Sequence, residues 1–230
     1  MAEESKADPA REMAREMARE MARSLAEGDP SGWFETMYTS AARGEVQMPW
    51  DRDHPTPPMV AWFDSDTSAR RGQRAIVVGC GYGRDAEYLA GRGFETVAFD
   101  VSETAVQTAI ERHPGSSVQY VAADLFNPPP EWHQAFDFVL ECTTVQALPI
   151  PMHAAASAAV SDLVAPNGTL LVIAYAREVT QDAAGPPWLL TRSEMLAFAT
   201  GGVRLVQLED LHTPPPWERQ WRAEFRRGAS

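Results

Sequence analysis

Apolar runs of strand length and amphipathic stretches of helix length alternate through most of this chain, an order that predicts an α/β fold. Residues 11–23 repeat the four-residue unit REMA three times, which sets Met13, Met17 and Met21 on one slowly drifting helical stripe beside Arg and Glu. Such a helix either packs on the body or a second subunit, or serves as an adaptable Met-rich lid over a small-molecule site. Asp29-Pro30 opens a second helix, Ser31 to Ala42, carrying Trp33, Phe34 and Tyr38. Pro49, Pro55, Pro57 and Pro58 make 43–58 a loop. From Arg74 onward strands and helices take turns. Strands are expected at Ile76 to Val78, Thr96 to Phe99, Val118 to Ala122, Phe136 to Glu141, and Thr169 to Tyr175 after the turn at Pro166 to Gly168. Helices are expected after the glycines at 79–83, over Glu103 to His113 behind Ser102, over Pro151 to Val164, and from the Thr191/Glu194 capping box to about Ala199. Val203 to Leu211 and Trp217 to Phe225 complete a seven-stranded set as a hairpin interrupted by Pro214 to Pro216. The expected architecture is a doubly wound, mostly parallel seven-stranded sheet over 74–230, preceded by a helix in 1–28 and a helix and loop in 29–73 that cover the site.

Composition narrows the function classes. At 230 residues and 44% hydrophobic, the chain suits one α/β domain with an extension. A net charge of −12 opposes polyanions, so nucleic acid is not an expected partner. Cys80 and Cys142 are too few for a disulfide scaffold or a four-cysteine zinc site and read as small core residues; no metal is expected. No stretch approaches the roughly 18 apolar residues of a membrane span, and no apolar signal region opens the chain, so a cytoplasmic protein without a membrane partner is expected.

The candidate chemistry sits at the strand ends, where open α/β sheets bind ligands. Gly79, Gly81 and Gly83 follow the first strand with G-x-G-x-G spacing, and Arg84 occupies the place where a dinucleotide fingerprint needs its third glycine. Asp100 ends the second strand, poised to accept hydrogen bonds from both hydroxyls of a ribose. The third runs into Asp124, Leu125 and Phe126, a carboxylate and apolar side chains suited to adenine. Glu141 ends the fourth. Acids at successive strand ends fit one ligand with an adenine, a ribose and an amino-acid tail.

The glycine motif and the acid at the end of strand two resemble class I S-adenosylmethionine methyltransferases. Finer details resemble the thiopurine methyltransferase and thiol/halide methyltransferase family: Met48-Pro49-Trp50-Asp51 with Pro55-Thr56-Pro57, then Gly79 to Ala86, Asp100 to Ala105, and Gly185-Pro186-Pro187-Trp188. The resemblance implies that Gly79, Gly81 and Gly83 contact the methionine end of S-adenosylmethionine and that Asp100, with Val101 beside it, meets the ribose. It implies that Asp124 and Leu125 hold adenine, that Trp50 packs over the cofactor, and that Asp85 and Glu141 border the methionyl side. Trp33, Tyr38 and Trp188 are the candidate acceptor pocket, because a cationic methyl donor favours aromatic faces. The family's aromatic-Glu-x-x-aromatic signature reads here Phe34-Glu35-Thr36-Met37-Tyr38, with a longer loop before Pro49, and the segment after Glu141 has few aromatic residues.

A sulfonium is already an activated methyl donor, so holding an acceptor in line with the methyl carbon and excluding water suffices. His153, Asp51 and Glu141 form no dyad by spacing, and no catalytic base is assigned. The reading is a methyltransferase acting on sulfur or nitrogen of a small molecule, heteroaromatic ones included, as a monomer or homodimer. An O-methyltransferase, a nicotinamide-dependent oxidoreductase and a non-catalytic S-adenosylmethionine binder are its alternatives.

Overall fold

The computed structural model describes residues 9–65, 71–181, 185–212 and 219–229. Its sheet comprises β1 (Arg74–Val78), β2 (Glu95–Asp100), β3 (Gln119–Ala122), β4 (Phe136–Cys142), β5 (Val164–Tyr175), β6 (Val203–His212) and β7 (Arg219–Arg227), in the order β3-β2-β1-β4-β5-β7-β6. The first five strands run parallel, and β7 inserts antiparallel between β5 and β6. The chain leaves β1 toward β2 and β3 and returns to β4 on the other side, so the switch point lies between β1 and β4. A ligand crevice belongs beyond the carboxyl ends of those strands.

Side-chain alternation along the strands divides the core into two layers. Ile76, Val78, Phe99, Val139, Leu170 and Val172 share one cluster with Ala156 and Val160 of α6 (His153–Asp162) and Met195 of α7 (Arg192–Leu196). Their sequence neighbours Ala75, Val77, Ala98, Phe138, Leu140 and Leu171 share the other. That layer holds Met59, Trp62 and Phe63 of α3 (Pro57–Ser65) and Ala86 and Leu89 of α4 (Arg84–Gly91). Phe138 is fully buried with Trp62, Phe63 and Phe94 around it at ring separations of 5.2–5.6 Å. A third cluster joins α1 (Pro9–Ala26) and α2 (Gly32–Ala42) through Met17, Met21, Trp33, Met37 and Tyr38 to Met48 and to Ala105 of α5 (Glu103–Arg112).

Several elements differ from the sequence expectation for identifiable reasons. The prolines at 57 and 58 start α3 instead of extending the loop, because the first helical turn needs no N–H from them. Strand β5 begins at Val164, five residues early; the expected turn at 166–168 is an irregularity inside it, with Asn167 at φ 62°. A 3₁₀ turn, Ile150–Met152, replaces the start of the helix expected from Pro151. The Thr191/Glu194 capping box is present in both directions, but α7 stops at Leu196. The Met13 side chain, Pro214 to Pro216 and Trp217 lie outside the described residues.

Candidate active site

The first turn after β1 is shaped by hydrogen bonds and by three glycines at positive φ: Gly79 at 59°, Gly81 at 52° and Gly83 at 85°. Their roles differ. A Cβ on Gly79 would overlap the Thr144 side chain, whose Cγ2 lies 2.6 Å away, and one on Gly83 would run into the Tyr120 ring, with Cζ at 2.8 Å. Only at Gly81 does the space belong to the cleft, facing the Tyr38 hydroxyl at 3.0 Å and Trp50 at 4.0 Å. Gly83 thus serves packing and the entry into α4, and it is not among the residues lining the cleft.

That cleft, about 470 Å³, opens beyond the ends of β1, β2, β3, β4 and β5. Of the residues singled out in the sequence, Trp33, Tyr38, Trp50, Gly79, Gly81, Asp85, Asp100, Val101, Asp124 and Leu125 line it. Gly83, Glu141 and Trp188 do not. Glu141 turns inward: its Oε1 accepts the N–H of Thr144 at 2.8 Å and of Val145 at 2.9 Å, and it shapes the segment that lines the cleft without facing it. Trp188 packs its ring against Gly185 and the α1–α2 cluster.

On the β2–β3 side the lining fits an adenosine. Asp100 accepts Gly81 N–H through Oδ2 at 2.9 Å and Ser102 N–H through Oδ1 at 3.0 Å, which fixes its carboxylate and leaves lone pairs for a diol. Asp124 accepts Phe126 N–H through Oδ1 at 2.9 Å, keeping Oδ2 available for an exocyclic amine. Val101 and Phe126, at 38% and 40% exposure, are among the few large apolar side chains left open, as the walls of an adenine slot would be.

The N-terminal wall is latched to this side at two places. Glu35 accepts from Ser102 Oγ at 2.6 Å, from Thr104 N–H at 3.2 Å and from the Thr104 hydroxyl, tying α2 to the start of α5 directly after Asp100. Arg112 Nη1 donates to both carboxylate oxygens of Asp51 at 2.9 and 3.0 Å, while that guanidinium stacks on Tyr82 at 3.8 Å. Trp50 Nε1 donates to the Tyr38 hydroxyl at 2.7 Å. Asp85 is occupied by the N–H and hydroxyl of Thr56, both at 2.7 Å.

The β4–β5 side carries different chemistry, much of it unanticipated. Arg52 Nη2 donates to the Tyr175 hydroxyl at 2.6 Å, and Gln146 and Cys142 stand beside them in the lining. Tyr175 ends β5, and the rule that located Asp100 and Asp124 would have found it. Arg52 and Gln146 carry no comparable sequence signal. Both cysteines line the cleft, and burial pushes their thiols up, which keeps them protonated at neutral pH.

Burial also pushes Asp100 up to about 6 and Glu141 up to about 7, against the backbone N–H groups that favour their charged forms. An acid raised in the folded state stabilises the fold below its unfolded pKa and loses that contribution as pH rises through the folded one. Glu35 and Glu194 are shifted down against their own burial by hydroxyl and backbone donors, so their contribution is present above their unfolded values. The ligand-free protein is therefore expected to be most stable near pH 5 and to lose about 1.5 kcal/mol from Asp100 and about 2.5 kcal/mol from Glu141 by pH 8. Urea unfolding at the two pH values checks this; a midpoint unchanged between them contradicts it.

The model of the thiopurine S-methyltransferase family matches residues 41–226. Thiocyanate methyltransferase 1 of Brassica oleracea is 32% identical over 61% of this chain and 61% of its own length, so the match spans less than two thirds of that relative. A probable thiol methyltransferase 2 of Arabidopsis thaliana is 26% identical over 74% of this chain and 71% of that one. Among solved structures, the N-methyltransferase NodS from Bradyrhizobium japonicum in complex with S-adenosylhomocysteine is similar at a TM-score of 0.63 and 19% identity, covering 83% of this chain and 97% of that one; at such identity the likeness speaks for the fold.

Proposed function

Since this chain belongs to the thiopurine S-methyltransferase family, we propose that it transfers the methyl group of S-adenosylmethionine to a sulfur atom of a small acceptor that arrives as an anion. The observation that carries this reading is Arg52, which lines the β4–β5 half of the cleft against Tyr175, where its charge acts on the buried Asp85 carboxylate without forming an ion pair within 4 Å among the described residues. A cation kept there in a protein of net charge −12 is suited to a thiolate or a thiocyanate-like acceptor. Adenosine then belongs in the β2–β3 half, its ribose on Asp100 and its base between Val101, Leu125 and Phe126, with the amine on Asp124.

Bound S-adenosylmethionine would supply a sulfonium-activated methyl group. The chain's residues have the simpler work of orienting both reactants and keeping water out. Trp33, Phe34, Tyr38 and Trp50 close the N-terminal side with aromatic faces suited to a sulfonium charge. An acceptor that is already anionic has no proton to lose, and no general base is required. The names of the thiocyanate and thiol methyltransferase relatives support sulfur over nitrogen as the acceptor atom.

Calorimetry with S-adenosylhomocysteine, followed by label transfer from methyl-labelled S-adenosylmethionine to thiocyanate, aryl thiols, alkyl thiols and heterocyclic amines, tests the proposal. Labelled thioether or methyl thiocyanate is expected. Tight binding without transfer to any sulfur acceptor would overturn it.

A further inference from the structure

Gln146 is 1% exposed yet lines the cleft, and its carboxamide is oriented by the main chain. The N–H of Tyr175 donates to Oε1 at 2.7 Å. Because a backbone N–H only donates, the oxygen is committed to that side and the NH2 group is turned the other way. The main-chain carbonyl of Gln146 accepts the N–H of Trp188 at 2.7 Å, so the backbone that carries the side chain is also pinned. No residue among those described accepts from Nε2, and the nitrogen is not one of the buried, partnerless atoms sealed in the protein interior. It opens on the cleft as a pre-oriented donor. On the same residue, Tyr175, the phenol oxygen receives Arg52 Nη2. Tyr175 thus holds Gln146 through its main chain and Arg52 through its phenol, and both side chains line the cleft with donor groups.

We propose that Gln146 is a specificity-determining residue: its NH2 group binds a carboxylate oxygen carried by the acceptor next to its sulfur, which makes small mercapto-acids the favoured substrates. The inference rests on methyl transfer to sulfur in this half of the cleft. A neutral N–H donor and a cation lining the same end of the cleft suit a carboxylate, and a site built to hydrogen-bond such a group discriminates against an analogue that lacks it. Arg52 alone suffices for an anion without oxygen. Gln146 adds the oxygen requirement.

The test compares kcat/KM for mercaptopropionate and propanethiol in the wild type and in Gln146→Glu. Glutamate keeps an oxygen for Tyr175 N–H and so preserves the pinning bond, while replacing the donor by a second acceptor. The wild type is expected to prefer mercaptopropionate by about tenfold or more, and the variant to lose or invert that ratio. Gln146→Leu, which removes the donor without adding charge, is expected to fall between them. A ratio that stays the same in both variants overturns the inference. Propionate binding to the protein saturated with S-adenosylhomocysteine gives a readout independent of turnover: tenfold weaker binding in Gln146→Glu supports the assignment, and equal affinity or no binding by the wild type overturns it. Failure of the wild type to bind S-adenosylhomocysteine, by contrast, strikes the underlying functional reading.

Discussion

Replacing Asp100 with alanine is expected to weaken S-adenosylhomocysteine binding by about a hundredfold. The carboxylate is the acceptor for the Gly81 and Ser102 N–H groups, at 2.9 and 3.0 Å, and under the proposed function it also accepts from both ribose hydroxyls. Hydrogen bonds to a charged group contribute roughly 1.5–3 kcal/mol each, so losing two from the ligand gives a loss of about 3 kcal/mol or more. Alanine also leaves two buried N–H donors without a partner and loosens the glycine turn, which raises the cost further. Asp100→Asn separates the contributions, since its carbonyl oxygen can still serve one backbone donor while the second place is taken by a competing N–H. Calorimetric titration, with urea unfolding of each ligand-free variant as the control for folding, checks both. An alanine variant that binds with wild-type affinity would show that the ligand does not lie on the tip of β2.

A large loss of stability, not of ligand contact, is expected for Gly83→Ala. At φ 85° an alanine pays roughly 1–2 kcal/mol for the left-handed backbone, and its Cβ would overlap the Tyr120 ring, whose Cε1 and Cζ lie 2.8 Å from the ideal position. The ring cannot swing away freely, because its hydroxyl donates to Glu87 at 2.6 Å. Together these give about 3 kcal/mol or more, a large fraction of the stability of an ordinary domain. Shortening the obstacle recovers the steric part: the double variant Gly83→Ala with Tyr120→Ala is expected to show a favourable coupling of about 1–3 kcal/mol in urea unfolding. Additive losses would mean that the ring is not what Gly83 makes room for. Gly81→Ala, whose Cβ would enter the cleft, is the contrasting case, because its cost should include ligand affinity.

These two positions mark how far the sequence could be read. Asp100 was legible because a strand, a turn and an acid are neighbours along the chain, and the rule about strand ends turns that order into a place in space. The same rule accounts for Asp124, which lines the cleft, and for Glu141, which stands at its strand end with its carboxylate turned inward. Direction depends on which N–H groups lie within reach, and for Glu141 these are the ones of Thr144 and Val145. The three glycines were equally visible, but their division of labour was not, since Thr144 and Tyr120 reach them from 65 and 37 positions away along the chain. Helix α3 was hidden for a local reason: Pro57 and Pro58 read as breakers, although a first helical turn accepts them.

By itself, then, the sequence determined the order of strands and helices and the acids at the tips of the parallel strands, because each of these is a short-range pattern. Tertiary structure alone decided the acceptor half. Arg52 meets Tyr175 across 123 positions and Gln146 meets it across 29, and no periodicity links residues whose only relation is that β4, β5 and the N-terminal loop end at the same crevice.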